Sequence, residues 1–322
     1  MAPAPGLRPP WTGSLLPPVP LRPARPGPAP PSHQRRQPSL ARGGGPSPDQ
    51  TRAHAHRPAP ALLLRRLTAP FAVSAWDDLA ADYDRTRGGE ERGDQYAADL
   101  DDRLPPGPGP VLEIGVGTGV VALGLRRRGR GVVGIDLSAP MLAQARARLG
   151  PCLVRGDACR LPFPAGSVAA AVSVWVIHAI DSPLDLLAEV ARVLRPGGCY
   201  LVATTQRPAP DDRIGAIMAE LFLRLDAVKP RRHGPEPIAA KVEGWAHHAG
   251  LRTEVETIER EWVNTPADEI SSITGRMFPA LRDLDEDTFA DVTGPTLEAL
   301  ARLPPGPTTR RGLGEIITVE TP

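Results

Sequence analysis

The run Glu113-Ile114-Gly115-Val116-Gly117-Thr118-Gly119 follows an apolar segment and sets three glycines at alternate positions. Glycines let the backbone turn sharply and come close to a ligand, where any Cβ would collide. Glu113, at the end of the apolar segment, is placed to hold a cationic amine. Asp136 closes the next apolar run about twenty residues on, where a carboxylate can accept both hydroxyls of a ribose. Gly156-Asp157-Ala158 closes a third run, where a carboxylate and a backbone amide can meet an adenine edge. A glycine turn and two carboxylates at successive strand ends describe a pocket for an adenosyl compound.

These residues need strands whose ends meet. Val111-Leu112-Glu113-Ile114 reads as the first strand, followed by helical spacing over 120–128. Residues 131–136 read as a second strand, 140–149 as a helix and 153–155 as a short third strand. The run 168–176 is too rich in valine to prefer helix and is predicted as strand four. Residues 183–194 carry apolar positions 186, 187, 190, 193 and 194, which is one helix face. Pro196-Gly197-Gly198 stops that helix, and 199–203 is the fifth strand. Near-continuous apolar strands are buried on both faces. Their alternation with helices implies right-handed crossovers and an α/β, doubly wound Rossmann-like sheet. Ligands of such sheets sit beyond the strands' C-terminal ends, where strand order reverses. Further on, 211–228 and 237–249 look helical, 251–263 alternates, 266–303 forms a helical insert, and 314–319 is a final strand.

Several of these segments resemble class I S-adenosylmethionine-dependent methyltransferases. They are Glu113 to Gly119; Asp136-Leu137-Ser138 with Met141; Asp157-Ala158-x-x-Leu161-Pro162-Phe163; and the stretch from Glu189 through Arg195-Pro196-Gly197-Gly198. The small-molecule branch related to ubiquinone and menaquinone methyltransferases is the most similar, and Ala80-Ala81-Asp82-Tyr83-Asp84 resembles that branch too. The likeness is good over 76–205 and weaker beyond. It implies a seven-stranded, mostly parallel sheet with an antiparallel last strand, and S-adenosylmethionine as cofactor. It further implies that Tyr83 borders the cofactor pocket and that Glu113 and the backbone of Gly115 and Gly117, in the turn closed by Gly119, approach the methionine part. Asp136 would bind the ribose hydroxyls, Leu137 and Met141 would pack on adenine, and Asp157 with Ala158 would read the adenine edge. Ser173 or Val174 would lie beside the cofactor's amino acid group. One departure is Val168-Ala169, where the family usually has Phe-Asp; a packing change is expected there, with binding retained.

The main competitor for the glycine turn is a nicotinamide-dependent oxidoreductase. Its fingerprint needs glycine where Val120 stands, and it leaves Glu113 and Gly156-Asp157-Ala158 unexplained. A second alternative is a cofactor-binding, non-catalytic regulator of the same fold. His178, just past strand four, is the candidate general base; hydrogen bonding or packing is the other reading. Met141 and Trp175 each read equally as core packers or as pocket wall. His247 and His248 suit a helix C-terminus. Arg310-Arg311 and Arg231-Arg232-His233 read as solvated charge or as contacts to an anionic substrate.

Residues 1–70 hold 18 of the 40 prolines and ten arginines against one acid, Asp49, so a basic tail precedes an acidic globule within a net charge of +1. We expect residues 1–72 to be a disordered extension and 73–322 the catalytic domain, with lid segments at 211–228 and 266–303. Absence of any methionine between Met1 and Met141 makes a natural start near Val73 a further expectation. Only two basic residues are lysine, which points to GC-rich coding DNA and discounts arginine as a sign of nucleic-acid binding. Three scattered cysteines argue against a disulfide framework or zinc site, and no metal is expected. The chain reads as cytoplasmic, a monomer or homodimer acting on a small-molecule methyl acceptor, without nucleic-acid or membrane partners. Met218, Phe222, Trp262, Met277 and Phe278 are candidates to line the acceptor pocket.

Overall fold

Apolar residues at successive strand positions send side chains to opposite faces of one sheet, and helices cover both. The computed structural model describes residues 73–204, 207–231, 233 and 236–321; the expected tail at 1–72 and Arg232 lie outside these. The chain begins with helices α1 (Val73–Leu79), α2 (Tyr83–Arg87) and α3 (Gly89–Asp101). Strand β1 (Val111–Ile114) then leads through the glycine turn to α4 (Val120–Arg127). β2 (Val132–Asp136), α5 (Ala139–Leu149), β3 (Leu153–Arg155) and β4 (Val168–Val174) follow. Next come α6 (Pro183–Val193), β5 (Leu194–Ala203), β6 (Arg207–Pro208), α7 (Arg213–Val228) and α8 (Ile238–His248). The long strand β7 (Arg252–Asn264) is separated from β8 (Thr308–Glu320) by α9 (Pro266–Thr274), α10 (Pro279–Arg282) and α11 (Glu286–Ala301).

β3, β2, β1, β4 and β5 are parallel neighbours in that order. β8 runs antiparallel to β5, with β7 antiparallel on its other side and the two-residue β6 continuing beyond β5. The expected mixed sheet with an antiparallel last strand is therefore present, and strand order reverses about β1. On one face, Val111, Val172 and Leu201 pack with α3, α4 and α5 through Leu100, Leu125 and Leu142. On the other, Leu112, Ala171 and Tyr200 pack with α6 and α8 through Leu187, Val190 and Val242. Burying a leucine such as Leu125 or Leu187, both fully enclosed, contributes about 1.5–3 kcal/mol.

Four elements differ from the sequence reading. Helix α3 had no predicted counterpart: its buried face is only Gly93, Tyr96, Ala97 and Leu100 on a strongly polar helix. Strand four stops at Val174, two residues early, because Trp175 turns the chain with φ of 58°. β5 already pairs at Leu194, opposite Val168, and resumes at Cys199 after an exposed bulge over 195–197. β8 begins at Thr308, since its whole length is paired with β7.

The insert helices form a third core with α7, built on Ile214, Leu221, Ile273, Leu281 and Leu300. Arg310 on β8 fastens this layer to the sheet. Its Nε donates to Asp212 Oδ2 at 3.0 Å, and its Nη1 to Glu269 Oε1 at 2.6 Å. Asp212 caps α7 through the Gly215 amide, and Glu269 lies in the first turn of α9, so one buried cation gathers two helix starts.

Candidate cofactor and active site

Strand β1 delivers Glu113 into the interior at 3% exposure, beneath the first turn of α4. One carboxylate oxygen accepts from the Ala122 amide, one of the donors a helix start leaves open. The other, Oε2, is buried and has no hydrogen-bond partner. Burial, reinforced by the nearby Asp136 charge and only partly opposed by the Ala122 amide, pushes this carboxyl well above the usual carboxylate range. A buried acceptor aimed at no donor is an unmet demand for a cation or hydrogen-bond donor.

Beside it the chain turns through Gly115, Gly117 and Gly119, all with positive φ (67°, 54° and 83°). A Cβ on Gly115 would strike Val176 Cγ2 at 2.4 Å, so packing forbids it. A Cβ on Gly117 would meet no protein atom nearer than the Gly115 carbonyl oxygen at 4.0 Å, and would instead enter open space. The bare backbone at 117 leaves room for a ligand.

Asp136, at the end of β2, is held by this turn. Gly117 N–H donates to Oδ2 at 2.8 Å, and Ser138 N–H to Oδ1 at 2.9 Å. Burial raises the carboxyl's pKa, while amides of Ser138, Gly117 and Leu137 oppose the rise. Each oxygen keeps further lone pairs for hydroxyl donors. Leu137 is 45% exposed, an apolar side chain left uncovered next to that carboxylate. Asp157 is exposed at the end of β3, its Oδ1 accepting from Cys159 N–H at 2.9 Å, while Ala158 is buried. Met141 is buried in the first turn of α5, where its amide donates to Ser138 Oγ.

The cleft above the turn spans about 480 Å³, part of it open solvent. Glu113, Gly115 and Gly117 form its floor, Val174 and Trp175 one side, and Tyr83, Arg87 and Arg92 its roof. The roof is clamped down by α1 and α2. Asp84 accepts from Thr118 Oγ1 at 2.5 Å and from Arg148 Nη2 at 2.5 Å, and Ser138 Oγ pairs with Asp77 Oδ1 at 2.5 Å. Burial raises the Tyr83 pKa and lowers that of Arg87. Trp175 both lines the cleft and packs on the core: its Nε1 donates to Tyr96 Oη at 2.9 Å and to the Thr204 carbonyl at 3.2 Å. A left-handed tryptophan costs about 1–3 kcal/mol and persists because such contacts fix it.

Of the predicted residues Tyr83, Glu113, Gly115, Gly117 and Val174 line the cleft, while Gly119, Asp136, Leu137, Met141, Asp157, Ala158, Ser173 and His178 are not among its lining. Ser173 turns to the opposite side of the sheet, fully buried, its hydroxyl 2.8 Å from Tyr200 Oη, because alternation along β4 gives the cleft to Val174 instead. His178 is exposed on a short 3₁₀ turn (Ile177–Ala179) and is not among the residues lining the cleft. Of the proposed acceptor lining, Met218 is core of the insert layer, and Phe222 packs edge-on against Phe278 with centroids 5.5 Å apart. Met277, Phe278 and Trp262 reach the cleft through its arginines, by contacts to Arg87 and Arg92. Sequence reasoning missed Arg87, Arg92 and Tyr96, and gave Asp84 no role of its own. The only available signal was the helical recurrence of Tyr96 and Leu100 in a charged segment.

Comparisons with known proteins bear on the family and the fold. A methyltransferase domain family model matches residues 112–202. Demethylmenaquinone methyltransferase of Mycobacterium tuberculosis is 31% identical over 191 residues, covering 57% of this chain and 81% of that protein. An uncharacterized chloroplastic methyltransferase of Arabidopsis thaliana is 37% identical over 90 residues, 25% of this chain and 26% of its own. The first curated relatives are thus matched over 23–31% of their length. Among solved structures, an Anabaena variabilis protein named for methyl transfer in an antibiotic biosynthesis pathway superposes with a TM-score of 0.50 at 18% identity, covering 71% of this chain and 97% of that one. That likeness concerns the fold.

Proposed function

We propose that this chain, which belongs to the S-adenosylmethionine-dependent methyltransferase family, binds S-adenosylmethionine over the glycine turn and catalyses methyl transfer to a small-molecule acceptor, a secondary metabolite or quinone-like compound. The observation that carries the reading is Glu113 Oε2, buried without a partner beside a turn whose bare Gly117 leaves room for a ligand. In the fit proposed here Glu113 takes the amine of the amino acid portion, Asp136 the ribose hydroxyls, Leu137 one adenine face, and Asp157 with Ala158 the adenine edge. The bound cofactor supplies a methyl group already activated by its sulfonium charge and thioether leaving group. What remains for the protein is to align the acceptor in line at roughly 3–3.5 Å and keep water out. Trp175 walls the reacting side, and Tyr83, with the clamped α1 and α2, covers it. No proton transfer is assigned to His178.

Relatedness to demethylmenaquinone methyltransferase supports a small apolar acceptor, and the insert layer at α7 and α9–α11 supports a lid. Among the described residues no helix is long and apolar enough to cross a membrane. Titration with S-adenosylmethionine, then incubation with the methyl-labelled cofactor and extracts of the producing cell, tests the reading. Saturable binding with label on a small molecule is expected. Binding with no label on any acceptor would favour a non-catalytic regulator, and no binding would refute the cofactor site.

A further inference from the structure

Glu113 and Arg87 line the same cleft and make opposite demands. Glu113 Oε2 is a buried acceptor without a donor. Arg87, the last residue of α2, donates from Nη2 to the Met277 carbonyl at 3.3 Å, and its guanidinium lies 5.2 Å from the Phe278 ring centroid. A carbonyl and a ring face steady a guanidinium without neutralising it, and the carbonyl takes only one of its several donors. Among the described residues no carboxylate lies within 4.0 Å of it. Glu269, the acid whose charge reaches it, is bonded to Arg310 and Asn264, and Asp84 to Arg148 and Thr118. A cleft that asks for a cation at one residue and an anion at another suits an α-amino acid head, which carries both.

The contacts Arg87 already makes belong to the insert. Met277 and Phe278 lie in the turn between α9 and α10, where Arg276 has φ of 51°, a left-handed pose that residues with side chains rarely hold without support. Arg276 donates to the Leu281 and Leu284 carbonyls and to Glu286, at the start of α11, and Phe278 packs edge-on against Phe222 of α7. One turn thus joins the insert helices to each other, and Arg87 ties that turn to the cofactor cleft.

We infer that Arg87 takes the carboxylate of the bound cofactor while keeping its contacts to Met277 and Phe278, so that cofactor occupancy is transmitted to the α9–α10 turn of the insert. This rests on the proposed cofactor site and adds to it a residue for the carboxylate and a route to the acceptor side. Arginine suits both tasks at once, because its planar fork holds a carboxylate bidentately on one edge and a carbonyl on another. A ligand shifts a segment only by binding one of its forms better, and the pair of carboxylate and Arg87 supplies that difference.

The test compares S-adenosylhomocysteine with its decarboxylated analogue, which keeps adenine, ribose, thioether and amine, on the full chain. Titration calorimetry is expected to show the parent ligand binding roughly ten- to hundredfold more tightly. With each ligand at saturation, amide hydrogen exchange in peptides spanning 275–284 is expected to be about fivefold slower or more under the parent ligand than under the analogue. Arg87→Met should remove both differences, and Arg87→Lys should retain part of the difference in affinity. Equal affinities for the two ligands would overturn the inference with the cofactor site intact. So would an affinity difference that survives in Arg87→Met, or one that brings no difference in exchange at 275–284. The two-ligand comparison needs only the unaltered chain, and if Arg87→Met does not fold, an undiminished affinity difference in Arg87→Lys would overturn the assignment of Arg87. Failure of S-adenosylhomocysteine to bind at all would refute the proposed function, a result distinct from the others.

Discussion

Replacing Glu113 by glutamine separates the cost of the buried carboxyl from its use. The substitution keeps the shape and an acceptor for the Ala122 amide, and removes the ability to carry charge. In the ligand-free protein this carboxyl has its pKa raised by burial well above the 4.5 of an ordinary glutamate. A carboxyl whose folded pKa exceeds its unfolded value supports the fold fully below the unfolded pKa, and that support is lost as pH rises through the folded value. Ligand-free protein should therefore lose stability progressively from about pH 4.5 upward, by about 1.4 kcal/mol for each unit by which the pKa is raised. Glu113→Gln should flatten that slope and raise the melting temperature at neutral pH. Cofactor binding should move the opposite way. The orphaned Oε2 gains a charge-assisted hydrogen bond worth about 1.5–3 kcal/mol, so the variant should bind S-adenosylmethionine roughly ten- to hundredfold more weakly. Because the ligand's amine favours the carboxylate, binding should also expel a proton. Calorimetric titration in buffers of different ionisation enthalpy reads that proton directly, and scanning calorimetry across the same pH range reads the stability slope. A variant with an unaltered slope, or with unaltered cofactor affinity, would refute the assignment of Glu113.

Three other substitutions probe the frame around it. Asp136→Ala should weaken S-adenosylmethionine binding by about 1–3 kcal/mol in titration calorimetry, through lost hydrogen bonds to the ribose and release of the Gly117 amide. Gly117→Ala should cost about 1–2 kcal/mol in denaturant unfolding for a left-handed alanine, and more than that in cofactor affinity, because its methyl enters the cleft. Arg310→Met should destabilise the fold by about 3–5 kcal/mol in urea unfolding, since Asp212 and Glu269 would remain buried without their shared cation. A loss under 1 kcal/mol there would mean the two acids find other partners.

The residues proposed to hold the cofactor could be singled out in the sequence because their pattern is local. Glu113, Gly115 and Gly117 alternate along one strand end and turn, Asp136 ends the neighbouring strand, and Asp157 lies two residues past the next, so a one-dimensional pattern marks a three-dimensional rim. The failures fall where periodicity does not reach. Ser173 and Val174 are adjacent in sequence and point to opposite faces, and nothing in a valine-rich run says which face owns the cleft. Trp175 breaks its strand through contacts with Tyr96 and Thr204, residues 79 and 29 positions away. Helix α3 was overlooked because three of its first four residues after Gly89 are charged and its buried stripe is narrow.

The acceptor half is illegible for a deeper reason. A methyl group that arrives activated asks for alignment and dryness, which many side chains can provide, so methyl transfer as proposed calls for no particular acid or base in the sequence. The cleft side proposed for the acceptor draws on α2, α3, the residue after β4 and β7, with Arg87, Arg92, Trp175 and Trp262 contributed across more than half the chain. Each alone reads as an ordinary surface arginine or core tryptophan. Only in the tertiary structure do these two arginines and two tryptophans converge on one cleft. In the proposed function, selectivity for an acceptor is therefore read from the tertiary structure and not from a linear motif.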